Sequence, residues 1–435
     1  MRSLLLRAKQ SSFFRATFLL AFGTAIAQLI PIALTPILTR IYSTDDLGVL
    51  TLYSSFVIVF TGALSLGFGY ALVSADENDV LPLTSLCFLS LAVLTIPISL
   101  LALACIHWDI LGLGALPTAS VISIGLSMLV AEAFFVVRYV VLRHGSYRVL
   151  SEVSVRQSLV RSVAQVVLGL LGTGWWGLTL GDAAGRGVGV NTLWSRCGLQ
   201  WRAFPQFWTR SEIGRLVRKY RDYALYSAPG SIVDSLGAQI AAPLLAAQFG
   251  IAVAGQYGVI SRLLILPATL IGGSVADVFH QRLAQIDRSR PHQAPKLFLK
   301  VAIGLIAVSA VIVVVVALIP DDLWTWALGD SWSMAGAYAV AIAPRAAALL
   351  VVSPLSRSVL VYGGQRSKLV YNIARVVAVW AVMAISARED WSAVKAIAMV
   401  SWTQAAMSCV YILLLWQITR IGASRKRSVE TDTVG

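Results

Sequence analysis

Charged residues are scarce in this chain, and their scarcity excludes a water-soluble protein of this size. Only 13% of the 435 positions are Asp, Glu, Lys or Arg, while 57% are apolar. Soluble domains contain about 25% charged and about 45–50% apolar residues. One core has no room for so much apolar surface, whereas a bilayer accepts it in stretches of about 20 residues. The composition therefore indicates an integral membrane protein.

Cysteine and histidine are also rare, with four of each. Cys87, Cys105, Cys197 and Cys409 are scattered, and no pair has the spacing of a zinc or redox site, so we expect no disulfide framework. There is no Ser/His/Asp set, metal-ligand cluster or phosphate-binding loop, so we expect neither a metal nor a cofactor. No A-x-A-like site ends the first apolar run, which we therefore interpret as a span rather than a signal peptide.

Long uncharged stretches are abundant instead, for example residues 16–39, 47–75, 301–320 and 396–419. The backbone in lipid must satisfy its own hydrogen bonds, so such runs form helices or barrel strands, and barrel strands are shorter and alternate in polarity. We predict an all-α integral membrane protein of about twelve transmembrane helices. The predicted spans are 16–39, 47–73, 83–106, 116–137, 154–172, 175–195, 223–248, 254–280, 298–319, 333–361, 369–387 and 395–418.

Basic residues are distributed unevenly between the predicted loops, which predicts the orientation of the chain. Most of the 35 Lys and Arg residues lie at the two termini and in the 4–5, 6–7, 8–9 and 10–11 regions, with Arg161 and Arg375 counted among them. The opposite side has only Arg40, Arg388 and Lys395. The positive-inside rule then makes both termini cytoplasmic. The net charge of +14 is explained by topology and contact with anionic lipid rather than by nucleic acid.

An internal repeat relates the two halves of the chain. Gly23 and Gly230, Pro36 and Pro243, and Gly48 and Gly255 are each separated by 207 residues. Six spans per half give the halves the same orientation, related by a pseudo-twofold axis along the membrane normal. Two such lobes facing a cavity are typical of alternating-access transporters. The prolines in spans 1 and 7 predict bends, either for packing or for movement.

Ionisable groups inside spans are the candidate functional residues. Each costs about 2.5–3.5 kcal/mol at mid-membrane, so it must face a partner or a wet cavity. Arginine suits phosphate through two parallel hydrogen bonds, whereas acids suit proton or sodium coupling. We predict Arg262, Arg345, Arg357 and Arg186 as contacts for an anionic headgroup. The candidates for ion coupling are Asp234, Asp182, Glu132 and Asp277.

Each candidate also has a structural interpretation. Arg345 lies deepest and would otherwise form a buried ion pair, and Arg357 is close enough to a span end to reach water. Asp182 and Arg186 are four residues apart on one helix, and mutual pairing is the favoured interpretation for them. Glu132 and Asp277 lie near span ends, where simple interface groups are also expected.

The segment AFGTAIAQLIPIALTPILTRIYSTDDLGVLTLYSSFVIVF, with PILTRIY at 36–42 and DDLG ending at Gly48, resembles the first hairpin of Wzx-type polysaccharide flippases. These belong to the multidrug/oligosaccharidyl-lipid/polysaccharide exporter superfamily. The segment YGVISRLLILPATLIGGSVADVFHQRLAQ, with Arg262 and Pro267, is similar to span 8 of that family. The chain departs from the family in span 2, which lacks arginine, so the phosphate contacts are expected mainly in the second half.

The resemblance implies two six-helix lobes, at 1–198 and 223–418, with a basic connector at 199–222 and a basic tail at 419–435. The implied cargo is an undecaprenyl-diphosphate-linked oligosaccharide of O-antigen, capsule or exopolysaccharide, moved across a bacterial inner membrane. The implied partners are this substrate, membrane lipids, H⁺ or Na⁺, and polysaccharide polymerase and chain-length proteins.

Three alternatives remain at this point. A drug/cation antiporter of the same superfamily would use acids such as Asp234, although the four membrane arginines argue against it. A lipid II flippase would be expected to have extra C-terminal spans. A membrane polymerase or ligase would need a long outer loop with catalytic His or Arg, and the longest one, PDDLWTWALGDSWSMAG, has neither. We therefore predict that the chain is not an enzyme.

Overall fold

The computed structural model describes residues 2–198, 201–289 and 291–434, with side chains for 22–146, 148–198, 201–287, 292–364 and 366–424. The chain is 88% helical, and no strand occurs in these described residues. Several of the predicted cytoplasmic cations have side chains outside the described ranges, namely Arg2, Arg7, Lys9, Arg15, Arg288, Arg290, Arg425, Lys426 and Arg427.

The helices group into two compact units, Met1–Gly255 and Gln256–Gly435. The first contains α1 (Arg2–Ile41), α2 (Thr44–Phe60), α3 (Phe68–Ala71), α4 (Val80–His107), α5 (Ser120–Arg143), α6 (Tyr147–Leu170), α7 (Trp175–Cys197), α8 (Arg210–Lys219), α9 (Ala228–Gln239) and α10 (Ala241–Phe249). The α11 helix (Ile251–Ser289) begins in this unit and continues into the second. The predicted lobe boundaries at 198 and 223 remain predictions.

The second unit continues with α12 (Ala294–Leu318), α13 (Asp321–Leu328), α14 (Ala335–Leu355), α15 (Ser358–Tyr362), α16 (Gln365–Arg388) and α17 (Ala393–Val434). Its core lies where α12 and α17 pack on α14, around residues such as Phe298, Leu350 and Leu415. The outward side of α12 exposes apolar residues, with Val311 at 63% and Leu318 at 75% of their free surface. Such exposed apolar faces are expected where lipid replaces water.

Each of the twelve predicted spans coincides with helical structure. In the described part of the chain, eight helices are long and apolar enough to cross a membrane, or nine if one bent pair counts as a single span. The α2 helix is too short by this measure because it has 17 residues. The α6 and α7 helices are more polar, since they carry Arg156, Arg161, Asp182 and Arg186.

Two predicted spans are broken rather than continuous. Span 2 was predicted as one helix over 47–73, but α2 ends at Phe60 and α3 begins at Phe68, with Gly62 and Gly67 at positive φ between them. Span 7 bends by 44° between Gln239 and Ala241. Pro243 lies four residues after Gln239, so its ring displaces that carbonyl and removes its hydrogen bond. The bend predicted from the prolines of span 7 is therefore confirmed.

A row of glycines on α7 allows α6 to approach closely. Gly177, Gly181, Gly185 and Gly189 are spaced by four residues and lie on one face of α7. A Cβ added at Gly181 would lie 2.6 Å from Gln165 Cγ, and one at Gly185 would lie 2.8 Å from the Gln157 carbonyl oxygen. Small residues at this spacing let helices pack through their backbones in lipid. The α6–α7 contact therefore depends on the absence of side chains along this face.

A second close approach supports the internal repeat. A Cβ on Gly48 would collide with the Ile251 carbonyl oxygen, and one on Gly255 would collide with the Thr44 carbonyl oxygen. Ile251 and Gly255 follow Thr44 and Gly48 by the same 207 residues. The contact between α2 and the start of α11 is thus reciprocal, as it is in a twofold-symmetric interface.

The glycine row gives a testable expectation. Gly185→Ala should lower the melting temperature of the detergent-purified protein, because its Cβ would lie 2.7 Å from Arg161 Cβ and such overpacking costs about 1–3 kcal/mol. Gly187→Ala is the matched control, since its nearest neighbour is 3.9 Å away and alanine is the better helix former. Equal melting temperatures for the two variants would contradict the role given to this row.

Candidate functional site

The first unit contains a buried ion cluster on α6 and α7. Asp182 on α7 accepts from Arg186 Nε through Oδ2 and from Arg161 Nη2 through Oδ1, each at 2.9 Å. The Asp182 side chain is only 7% exposed, whereas those of Arg161 and Arg186 are 31% and 22% exposed. Two guanidinium groups on one carboxylate leave the cluster with a formal charge of +1. The favoured interpretation, pairing of Asp182 with Arg186, is confirmed.

The position predicted for Arg161 from the distribution of basic residues is wrong. This residue was counted among the cytoplasmic cations, but it lies near the middle of α6 and pairs with Asp182. The spacing of Gly177, Gly181, Gly185 and Gly189 is the sequence signal that could have found it, because it indicates which face of α7 lies closest to a neighbour. Arg375 was also counted as a loop cation, but it lies within α16 and stacks over Tyr371 at 5.5 Å.

Glu132 on α5 stabilises the break in span 2. Its side chain is completely buried. Its carboxylate accepts from the backbone amides of Gly62 and Ser65, the latter at 3.2 Å. These amides lie between α2 and α3, where helix hydrogen bonds are interrupted, so Glu132 satisfies donors that would otherwise be buried without a partner. The interpretation of Glu132 as a simple interface group is therefore wrong.

Asp234 lies on α9 in the same unit and is partly buried. It interacts electrostatically with Tyr70, which is also within electrostatic range of Glu132. The Tyr70 ring packs edge-on against Phe135 at 5.0 Å and Tyr139 at 5.5 Å. Tyr70 is therefore within electrostatic range of two of the four acids predicted for ion coupling.

In the second unit, Arg345 on α14 donates a hydrogen bond to the Tyr257 hydroxyl of α11. Its guanidinium carbon lies 5.9 Å from the centre of the same ring. Arg345 follows Pro344 within α14 and is partly buried. Tyr257 was not predicted as a site residue. No periodicity distinguishes it, because an isolated tyrosine in an apolar span is compatible with packing, interface and ligand roles.

The other candidates of the second unit are Arg262, Asp277 and Arg357. Arg262 lies five residues after Tyr257, so along an ideal helix it is rotated by about 140° and raised by about 7.5 Å. Arg262, Asp277 and Arg357 are all exposed, and Arg357 lies beyond the end of α14. Their predicted roles therefore remain predictions.

Comparison with known families decides the classification. A family model described as "Polysaccharide biosynthesis protein" matches residues 37–337. The chain belongs to this family. A comparison with curated protein sequences gives no match.

Solved structures show the fold of this polysaccharide biosynthesis protein. It is similar to the "Lipid II flippase MurJ, inward closed conformation", at a TM-score of 0.64 and 12% identity, over 97% of this chain and 92% of that one. A Pyrococcus furiosus MOP superfamily transporter, described as having a binding pocket of reversed polarity, gives a TM-score of 0.62 and 14% identity over 94% and 95%. The Vibrio cholerae MATE transporter VcmN gives 0.57 and 12% identity over 96% and 98%. The protein therefore has the MOP-superfamily transporter fold.

Among the described residues, no group of three or more His, Cys, Asp or Glu is arranged to hold a metal ion. Arginines within the predicted spans pair with the Asp182 carboxylate or the Tyr257 phenol. Guanidinium groups suit reversible recognition of an anion. The apolar helices support a multi-pass membrane protein, and the family is one of polysaccharide biosynthesis.

Removing the Asp182 carboxylate should lower the free energy of unfolding of the first unit. We expect Asp182→Ala to destabilise the protein by about 3 kcal/mol, because Arg161 and Arg186 lose their buried counter-charge. Arg186→Gln should be nearly neutral for stability, since the Arg161–Asp182 pair persists. The double variant Asp182→Ala with Arg186→Gln should be more stable than Asp182→Ala alone, measured by chemical denaturation in detergent. Strict additivity would show that the cluster is not energetically coupled.

Glu132 offers a separate expectation. Glu132→Ala should lower the melting temperature, because two buried amide donors lose their acceptor at about 1–3 kcal/mol each. Glu132→Gln keeps one acceptor oxygen and should be less destabilising. If Glu132→Gln has near-native stability but abolishes transport, a proton-coupling role is favoured over a purely structural one. If both variants melt like the native protein, the structural role is wrong.

Proposed function

We propose that this protein is a flippase that moves undecaprenyl-diphosphate-linked oligosaccharides from the cytoplasmic to the periplasmic leaflet of a bacterial inner membrane. The observation that carries the proposal is the polysaccharide biosynthesis family match over residues 37–337 in a chain with a MOP transporter fold. The glycan would be a unit of O-antigen, capsule or exopolysaccharide. Two six-helix lobes, joined by the connector 199–222, would open alternately to each side.

The diphosphate would be recognised by arginines at span depth. Arg345 is the strongest candidate, because it lies within α14 and Tyr257 holds its guanidinium group in place. Arg186 uses Nε to bind Asp182, and the +1 charge of that cluster favours an anion. Arg262 and Arg357 would contribute further positive charge from the second half.

Ion coupling would use one or more of the carboxylates of Asp234, Asp182, Glu132 and Asp277. Protonation or sodium binding at Asp182 or Glu132 would compete with the contacts that these two carboxylates make. Asp182 is held by two arginines, and Glu132 accepts from two backbone amides. Either H⁺ or Na⁺ fits carboxylates at these positions. Both termini would be cytoplasmic, and polymerase and chain-length proteins would act on the delivered glycan.

The headgroup assignment can be tested in cells that depend on this protein for glycan export. We expect Arg345→Ala and Arg262→Ala each to reduce exported glycan at least about ten-fold, because each removes a charge-assisted contact of about 1.5–3 kcal/mol. Arg282→Ala, an exposed arginine on the same helix as Arg262, is the control and should leave export unchanged. Protein levels in the membrane must be matched.

If the Arg345→Ala and Arg262→Ala variants both export glycan at the native level, the headgroup assignment is wrong, whereas the family assignment is unaffected. Efflux of cationic dyes by the native protein, with no glycan defect when it is deleted, would instead favour the drug/cation antiporter. Reporter fusions in the connector 199–222 would test the orientation separately, since a periplasmic connector contradicts the proposed direction of transport.

A further inference from the structure

The connector between α7 and α9 contains an ordered amphipathic helix that the proposed transport cycle does not use. This helix, α8, buries Leu216 completely, and Ile213 and Tyr220 lie on the same side. They pack with Phe68, Leu83 and Val136 of the first unit. The preceding segment is fixed as well, because Phe204 is buried and its carbonyl accepts from Ser85 at 3.2 Å. The outward face of α8 is therefore held in a defined position.

One flank of this outward face is electrically compensated. Arg215 donates to Asp79 at 2.8 Å and to Glu212 at 2.6 Å. Lys219 binds Asp79 at 2.6 Å and also contacts Asp76. Hydrogen bonds to Asp76 and Asp79 raise the pKa of Lys219 above its usual value. Arg215 and Lys219 remain charged, but acidic side chains of the protein neutralise their charges.

The other flank is not compensated. Within the described part of the chain, Arg210 and Arg218 form no ion pair, and Arg221 forms only a loose one of 3.8 Å with Asp222. Arg210, Gly214 and Arg218 follow one another at intervals of four residues, which places the glycine between the two arginines on one side of the helix. A Cβ on Gly214 would have no atom within 4 Å. Gly214 therefore lies in an open depression whose other lining residues are Arg210, Ser211, Arg215, Arg218 and Lys219.

Exposed apolar side chains occur within α8 and in the segment just before it. Val217 is 39% exposed, and Trp208, just before the helix, is 42% exposed. Trp201 is 62% exposed, with Arg202 5.7 Å from its ring. Exposed tryptophan and valine beside uncompensated arginine are typical of a helix lying at a membrane surface. Such a position brings acyl chains to the apolar residues and phosphate groups to the arginines.

We propose that the Arg210–Gly214–Arg218 surface of α8 is a binding site for the phosphate headgroup of an anionic phospholipid at the membrane surface. Arg210 and Arg218 line the same depression, and a phosphate bound there can accept from both guanidinium groups. The site lies on the connector between the two predicted lobes. A bound lipid therefore fixes the connector to the bilayer, in addition to its contacts with Asp79.

Native mass spectrometry of the detergent-purified protein tests this site with phosphatidylglycerol as the probe. The double variant Arg210→Gln with Arg218→Gln should retain one fewer phosphatidylglycerol than the native protein. In a thermal-shift titration, the phosphatidylglycerol concentration for half-maximal stabilisation should rise roughly ten-fold or more. Phosphatidylcholine should give no shift in either protein. Both arginines are exposed without described ion pairs, so the variant is expected to fold.

The control variant is Arg282→Gln with Arg366→Gln, which removes the same charge from exposed positions elsewhere. It should retain phosphatidylglycerol like the native protein. Gly214→Glu provides an independent variant, because its carboxylate enters an open position and repels phosphate while both arginines remain. It should reproduce the loss seen for the arginine variant.

Three results would overturn the proposal. Equal loss of lipid in the control variant would mean that only bulk charge matters. Displacement of the lipid by millimolar inorganic phosphate would indicate a general anion site. Retention of undecaprenyl diphosphate by the native protein, with loss of that lipid in the Arg210→Gln and Arg218→Gln double variant and no displacement by phosphatidylglycerol, would assign the surface to the transported lipid instead.

Discussion

The close packing of α6 against α7 is the constraint on which the charge chemistry of the first unit depends. Unpaired ionised groups are expensive at membrane depth. Asp182 and its two arginines are tolerated because glycines at 181 and 185 bring the α6 backbone near enough for Arg161 to reach the carboxylate. A single side chain on this face would separate the partners. The net charge of +1 on the cluster therefore arises because the close α6 and α7 backbones place two arginines on one carboxylate. It does not come from an isolated arginine in an apolar environment.

The positions of the spans were predictable because hydrophobic length is a property of the chain itself. Their ends were less predictable, and helices such as α11 and α17 continue well past the apolar stretch. The interruption of span 2 was missed because residues 47–75 contain no charge and no proline. The break rests on glycines at positive φ and on Glu132 of another helix, which is a contact distant in sequence. Proline, by contrast, acts locally, and the bend in span 7 followed directly from it.

The sequence identified most of the candidate residues, but it predicted only those pairings that are close in the chain. Asp182 and Arg186 are close in sequence, so their pairing follows from helix geometry. Arg161 and Tyr257 reach their partners across helix–helix contacts, and the rule that assigns cations to the cytoplasmic side does not take depth into account. In the same way, the composition of the 199–222 connector indicated only basic charge. Its division into a compensated and an uncompensated flank depends on Asp76 and Asp79, which lie far away in the chain.

The crossing of α2 with the beginning of α11 has a consequence for motion. Gly48 and Gly255 each meet a facing backbone carbonyl, and the Ile251 side chain also lies against Gly48. Separating these segments breaks mainly short-range dispersion contacts. Sliding or rolling there should therefore cost less free energy than shear of the α6–α7 contact, which would pull Arg161 from its carboxylate.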